Sequence, residues 1–326
     1  MEYYDERLHD MLRTKRPHGS AAEIKWVKDF ILTPYPQAYH IGDPKNPAAY
    51  VIEVGDSRTM FSSHVDTVHR EGGKQTVKYD KKGLKYYKTD GKPLGADDTA
   101  GCWVMLEMID AGVPGVYVFH RGEECGGIGS GFIAEKHSGF LERFDRAIAF
   151  DRRGSTSVIT HQGWGRCASD EFAQSLADML NDDGVSMYLP DDTGIFTDTA
   201  NYVDFIPECT NLSCGYANEH SGNETLHLPT VFILRDRCLE IDWEKLPTER
   251  VPGVVDYKDD YTYHYTTKTN SSYYSGSMLY NMTKSEMLDM AYTDPETFVE
   301  VVRNELFGEE DEKDNYEDIR KWSYGL

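Results

Sequence analysis

The sequence predicts an α/β fold: a three-layer sandwich with a mostly parallel mixed central sheet flanked by helices. Three observations predict it. Short apolar runs that read as buried strands alternate with segments of helical period, the pattern of a sheet covered on both faces. The run 113–120 (VPGVYVFH) passes directly into Gly122-Glu123-Glu124-Cys125-Gly126-Gly127-Ile128-Gly129-Ser130. Two adjacent carboxylates at the end of a buried strand are costly unless something positive lies beside them. The glycines after them let the chain turn and open a helix. Strand, acids, glycine turn and helix is the layout of a site at the carboxyl end of an α/β sheet. Third, 326 residues with 39% hydrophobic content suffice for one large α/β domain plus an appendage.

The elements follow in order. Residues 5–14 read as a helix with Leu8, Met11 and Leu12 on one face. Ser20 and Glu23 form a capping box that starts a second helix through Ile24, Val27, Phe30 and Ile31, ended by Pro34 and Pro36. Strands are expected at 50–54 and 60–66, and a hairpin at 76–89 around Lys82-Gly83. A helix over 100–111 stops at Gly112. After strand 113–120 come a helix near 130–137 and strands 146–150 and 157–160. A helix follows at 170–181, capped by Ser169 or Asp170 and ended at Asp183-Gly184. The rest of the core reads as strand 185–189, helix 197–205, strand 210–214 and a long helix 229–246.

The composition changes after about Pro247, so the expected division is a catalytic domain over 1–247 and an acidic C-terminal extension over 248–326. The extension holds a Tyr/Ser/Thr-rich linker (261–280) and helix starts at Thr283 and Asp294-Pro295. It also holds an acidic run, 309–318, that reads as a solvated tail.

A net charge of −22 argues against a nucleic-acid surface, which needs clustered Lys and Arg. The N-terminal stretch has no apolar leader region, and no run approaches 18 apolar residues, so neither a signal peptide nor a membrane span is expected. Six cysteines without a CxxC pair read as free thiols of a cytoplasmic protein, with a Cys209–Cys214 disulfide as the minor alternative.

Acids and imidazoles collect at strand ends and tight turns: His64 and Asp66, Asp97 and Asp98, Glu123 and Glu124, Asp151, and His220. One sheet can bring all of them to one edge. A pair of divalent ions about 3.5–4 Å apart needs a bridging carboxylate and terminal His and carboxylate ligands. Imidazole plus carboxylate without cysteine suits zinc, with manganese or cobalt as substitutes. Each signal alone is weak; five in order, each at an expected strand end or turn, are strong jointly.

These stretches resemble a known group. His64-Val-Asp-Thr67, Leu94-Gly-Ala-Asp-Asp-Thr-Ala-Gly101, Glu123-Glu124-x-Gly126, Phe150-Asp151 and Gly215-Tyr216-x-x-x-His220 are similar to the motifs of the di-zinc (co-catalytic) peptidase superfamily. That superfamily includes peptidase T, the zinc aminopeptidases and N-acyl amino acid deacylases. The similarity spans roughly residues 5–247. It implies a phosphorylase/hydrolase-like zinc exopeptidase core and two zinc ions per chain. His64 and Asp151 would bind one ion, Glu124 and His220 the other, and Asp97 would bridge them. Asp66 would orient His64 through its other ring nitrogen. Glu123 would be the general base, moving a proton from the zinc-bound water to the leaving amine. The resemblance also implies a cis peptide bond between Asp97 and Asp98.

Asp151 and His220 stand 69 positions apart (220 − 151). Peptidase T and the deacylases carry a lid domain in that interval. Such a domain needs on the order of a hundred residues, so it is expected to be absent. The implied function is a zinc-dependent exopeptidase, an aminopeptidase acting on small peptides. The alternatives are an N-acyl amino acid or amide hydrolase on the same centre, and a non-catalytic binding protein on a peptidase scaffold. The oligomeric state is left open. His69, His120, His137, His161 and His227 lie outside the motifs and read as structural, with His161 the one that could face a substrate. Asp198 reads as a helix N-cap that also matches a Thr-Asp pair of the related peptidases. Tyr216 reads equally as pocket wall or core.

Overall fold

The computed structural model describes residues 4–162, 165–182 and 184–254. All of them lie in the first of the two units into which the chain divides, Met1–Asp259. The expected linker 261–280, the helix starts at Thr283 and Asp294 and the acidic run 309–318 lie outside the described residues.

Eight strands form the main sheet: β1 (Tyr39–Asp43), β2 (Asn46–Val54), β3 (Thr59–His64), β4 (Gly115–His120), β5 (Arg146–Arg152), β6 (Ser157–Ile159), β7 (Leu189–Asp191) and β8 (Glu208–Ser213). Their spatial order is β7-β6-β8-β5-β3-β4-β2-β1. The inner strands β8, β5, β3 and β4 run parallel. Antiparallel pairing joins β6 to β8, β4 to β2 and β2 to β1.

The helices are α1 (Glu6–Leu12), α2 (Ala21–Val27), α3 (Ala96–Asp110), α4 (Ile128–Lys136), α5 (Ser138–Leu141), α6 (Asp170–Leu180) and α7 (Leu228–Glu240). Alternation along the strands builds the three layers. Phe61, Tyr117, Phe119 and Ile148 enter one apolar cluster with Met11 of α1, Trp103 of α3, Leu176 of α6 and Leu234 of α7. Their strand neighbours Met60, Val116, Val118 and Ala147 enter a second cluster with Ile133 of α4 and Leu141 of α5.

The helix ends follow their caps. Asp5 accepts from the Leu8 N–H at 2.6 Å, and Ser169, rather than Asp170, accepts from the Phe172 N–H at 3.2 Å. Ser20 accepts from the Glu23 N–H at 3.1 Å. Glu23 reaches past the Ser20 amide to that of Gly19 at 2.6 Å, because its carboxylate also takes the Arg121 guanidinium at 2.8 and 2.9 Å. The second helix continues as a π-turn, Lys28–Leu32, before Pro34.

Three expected elements shift. Strand 185–189 becomes Leu189–Asp191, paired with Ser157–Ile159. The alternation over 185–189 is a surface pattern, with Val185 and Met187 exposed. Helix 197–205 is a 3-10 turn, Asp198–Tyr202, and its N-cap is Thr197, not Asp198. Helix 229–246 splits into α7 and a 3-10 turn, Trp243–Lys245.

Residues 248–250 remain tied to the sheet. Arg146 donates to the Thr248 hydroxyl, and the Glu249 and Arg250 amides donate to Glu208. The described residues between Asp151 and His220 form β6, α6, β7, β8 and short turns and ribbons, with no lid domain. All six cysteines are free, including Cys209 and Cys214. Among the described residues no helix is long and apolar enough to cross a membrane.

Candidate metal centre

The parallel strands deliver the polar residues to one edge. His64 is the last residue of β3, Asp151 the last but one of β5, and β4 leads through Arg121-Gly122 into the short turn Glu123–Cys125. Beyond β8 the chain passes through the ribbon Tyr216–Ala217 to His220, which takes a left-handed backbone at φ 60°. Asp97 and Asp98 precede the regular part of α3 and have non-helical dihedrals. The peptide bond between them is cis, as the motif resemblance implied.

Gly101 lets this helix start sit against the sheet. A Cβ there would lie 2.1 Å from the Phe150 carbonyl oxygen and 2.6 Å from Ser63 Oγ. Only a residue without a side chain permits that approach.

Asp97 is the geometric centre. Its Oδ1 lies 3.0 Å from His64 Nε2 and its Oδ2 lies 3.0 Å from His220 Nε2. His64 Nε2 is also 3.5 Å from Asp151 Oδ1, and His220 Nε2 is 3.1 Å from Glu124 Oε2. Two groups of donor atoms lie within 4.8 Å of one another: His64, Asp97 and Glu124; and His64, Asp98 and Asp151. Asp98 is already engaged, since its Oδ2 accepts the His64 N–H at 3.2 Å and its Oδ1 the Gly101 N–H at 3.0 Å. It braces the helix start, whereas both oxygens of Asp97 face imidazoles.

The electrostatics are those of acids crowded out of water. Burial, reinforced by Asp151, pushes the Glu123 carboxyl up to about 10. Burial and the neighbouring Asp97 raise Asp151 to about 6. Burial opposes ionisation of Asp97 as well, but hydrogen bonds from His220 and His64 outweigh it and hold its carboxyl below the usual range. Hydrogen bonds to Asp97 and Glu124 lift His220 to about 11. Buried acids in this number call for added positive charge. The residues fit a metal. Imidazoles and carboxylates converge without a thiolate, and Glu124 Oε1 is buried with no hydrogen-bond partner.

A surrounding shell holds these groups. The Asp66 carboxylate accepts the amides of Gly122 (2.8 Å), Glu123 (3.2 Å) and Glu124 (3.3 Å), and so fixes the turn that carries both glutamates. His64 Nδ1 lies nearer the main-chain oxygen of Asp66 (3.0 Å) than its carboxylate (3.6 Å). Asp151 accepts from the hydroxyls of Thr197 (2.7 Å) and Tyr216 (3.2 Å). Asp198 lies fully buried 3.5 Å from His120 Nδ1, and His120 Nε2 meets the Tyr202 hydroxyl at 2.6 Å. The cleft beside these groups, about 240 Å³, is lined by Glu123, Asp151, Gln162, Phe196, Tyr216 and His220 among others. Gln162 lines it where His161 was the expected candidate; His161 pairs with the Thr160 hydroxyl.

Two neighbours escaped the sequence reading. Glu224, 2% exposed, accepts four main-chain amides of the turn that carries Asp97. Its signal was readable, an acid in the glycine-containing turn directly after His220. Arg16 lies fully buried over Trp26 and donates to the Val65 oxygen and the Thr99 hydroxyl. Nothing in the local pattern around Arg16 marks it.

No protein-family model matches the chain, and no curated protein matches it. Solved structures do. Aminopeptidase PepT from Bacillus cereus ATCC 10987 is 12% identical with a TM-score of 0.57, over 72% of this chain and 96% of that one. A tripeptidase from Staphylococcus aureus subsp. aureus Mu50 is 16% identical with a TM-score of 0.56, over 72% and 95%. A TET aminopeptidase from a marine sediment archaeon, Thaumarchaeota archaeon SCGC AB-539-E09, is 12% identical with a TM-score of 0.54, over 72% and 95%. The chain therefore has the fold of the metallo-aminopeptidases, with candidate metal-binding His, Asp and Glu groups gathered at the carboxyl edge of its sheet.

Proposed function

We propose that the protein is a zinc-dependent exopeptidase, an aminopeptidase that releases N-terminal residues from small peptides. One observation carries the reading: a buried carboxylate, Asp97, with one oxygen 3.0 Å from His64 and the other 3.0 Å from His220. A single carboxylate set between two imidazoles suits a bridge between two divalent ions. His64 and Asp151 would hold one ion, Glu124 and His220 the other. When bound, such ions polarise a carbonyl and acidify water.

Glu123 stands on the cleft wall beside the ligands. It takes a proton from the attacking water as the new C–O bond forms. It returns that proton to the amide nitrogen as the C–N bond breaks. Asp66 keeps Glu123 and Glu124 on one rigid turn, so the base and its ligand neighbour hold a fixed spacing. Tyr216 and Thr197 fix the carboxylate of Asp151. Six unpaired thiols support a reducing, cytoplasmic setting.

A second reading, an N-acyl amino acid hydrolase on the same residues, is favoured by Arg152 and Arg153 on the cleft wall. Guanidinium groups there could take the carboxylate that such a substrate presents. Peptides with a free amino terminus, assayed beside their N-acetylated forms, decide between the readings. Hydrolysis of the free-amine series alone is expected. Cleavage of the blocked series alone would overturn the aminopeptidase reading in favour of the deacylase.

A further inference from the structure

His220 and Asp97 lie 123 residues apart in the chain, yet meet at 3.0 Å. Glu224 spans the two segments that bring them together. Its Oε1 accepts the amides of Ala96 (2.6 Å) and Asp97 (3.1 Å), and its Oε2 those of Leu94 (2.8 Å) and Gly95 (3.0 Å). Four consecutive amides on one carboxylate need a backbone that curls around the anion, and Gly95 supplies this with φ 75°. The segment that carries Glu224 also carries His220 on a left-handed residue. It then runs into the strand Thr225–His227, which pairs with Lys85–Tyr87.

We propose, resting on the metal-centre reading above, that Glu224 is a positioning residue. It clamps the His220 segment to the Asp97 turn, and so sets the distance between two ligands that share one ion. It touches neither substrate nor metal and acts through Asp97 and His220. His64 and Asp151, the other pair, stand at the ends of β3 and β5 and are held by the sheet itself. Their ion has less need of the clamp. The ion held by Glu124 and His220 is therefore the one that Glu224 secures.

A matched control exists in the same molecule. Glu208 is also fully buried and also accepts four hydrogen bonds, from the Ser169, Glu249 and Arg250 amides and the Ser169 hydroxyl. It stands at the first residue of β8, the opposite edge from the metal centre.

The test is a zinc titration of the metal-stripped full-length protein, followed by calorimetry, with thermal unfolding of the stripped form alongside. Glu224→Gln keeps one accepting oxygen and turns an NH2 towards two N–H groups. Its second zinc should bind about 10–100-fold more weakly than in the wild type, the usual range for a residue that supports a ligand, while the first zinc, which shares Asp97 but is otherwise held by the sheet, should weaken less. Glu208→Gln should lower unfolding temperature and leave both affinities in place. If Glu224→Gln does not fold, Glu224→Asp keeps the charge on a shorter arm and should weaken the second zinc less steeply. Two full-affinity zinc ions in the folded Glu224 variant would overturn the clamp and leave the metal-centre reading intact. A wild-type protein that takes up no zinc would overturn that reading and the clamp with it.

Discussion

Asp97 and Asp66 divide the work of two buried carboxylates in different ways. Asp97 turns both oxygens outward to imidazoles, so it can serve two cations at once. Asp66 turns both oxygens to main-chain amides, so it shapes the loop behind the glutamates. The sequence motif placed Asp66 beside His64. It did not show that the carboxylate spends its hydrogen bonds on the Gly122–Glu124 turn, because that contact joins segments more than fifty residues apart. The same limit hid the contacts of Glu224 and Arg16, whose partners lie farther still along the chain. By contrast, His64, Asp97, Glu123, Glu124, Asp151 and His220 were legible, since each sits at a strand end or a tight turn that the local pattern marks. Asp66→Asn replaces an accepting oxygen with an NH2 that faces an N–H, so the turn should shift. Metal affinity or turnover should fall about 10–100-fold, read by zinc titration and by steady-state rates at saturating zinc. Unchanged values in both would mean that the Asp66 bonds do not hold the turn.

The elements that position the site are the four parallel strands and α3. Strands β4 and β5 were legible because both faces are buried and their apolar runs are nearly unbroken; β3, equally buried, has only Met60 and Phe61 as its apolar pair before a polar end. Edge strand β1 was missed because only Ile41 is buried along its five residues, which leaves no alternation to read. At the other edge, β7 contains Pro190 and exposes Leu189, and pairing with β6 rather than side-chain pattern defines it. The regular part of α3 begins only after Asp97 and Asp98, whose dihedrals are not helical, close to the start at 100 that its period suggests. Its closeness to β5 rests on Gly101. Gly101→Ala would drive a methyl into the Phe150 carbonyl, and neither backbone can yield without moving Asp97 or Asp151. A loss of about 1–3 kcal/mol is expected, the range for overpacking in a dense core, measured by denaturant unfolding of the metal-free protein. A neutral substitution would show that α3 can retreat from the sheet without harm.

At the scale of the molecule, a chain with net charge −22 places a dense group of buried acids at one sheet edge. Without a cation, burial and mutual repulsion raise Glu123 and Asp151 above the usual carboxylate range; a bound cation would offset both effects. The compact interval between Asp151 and His220 itself supplies part of the cleft wall, Arg152, Gln162 and Phe196. The spacing of the motifs made that legible, since 69 positions hold a few strands and one helix and nothing larger. The part of the wall made by Gln162, Phe196 and Arg152 was not legible, because only the folded sheet brings these separate segments beside the metal-ligand candidates. The central claim is that these acids and imidazoles hold two metal ions and that Glu123 moves the proton. It is tested most directly by metal analysis of the wild type and Glu123→Gln, each assayed on a free-amine peptide. The expected result is about two zinc ions per chain in both proteins, with turnover in the variant reduced about 10²–10⁴-fold. A folded wild type that takes up no divalent ion, or a Glu123→Gln protein that turns over at the wild-type rate, would contradict it.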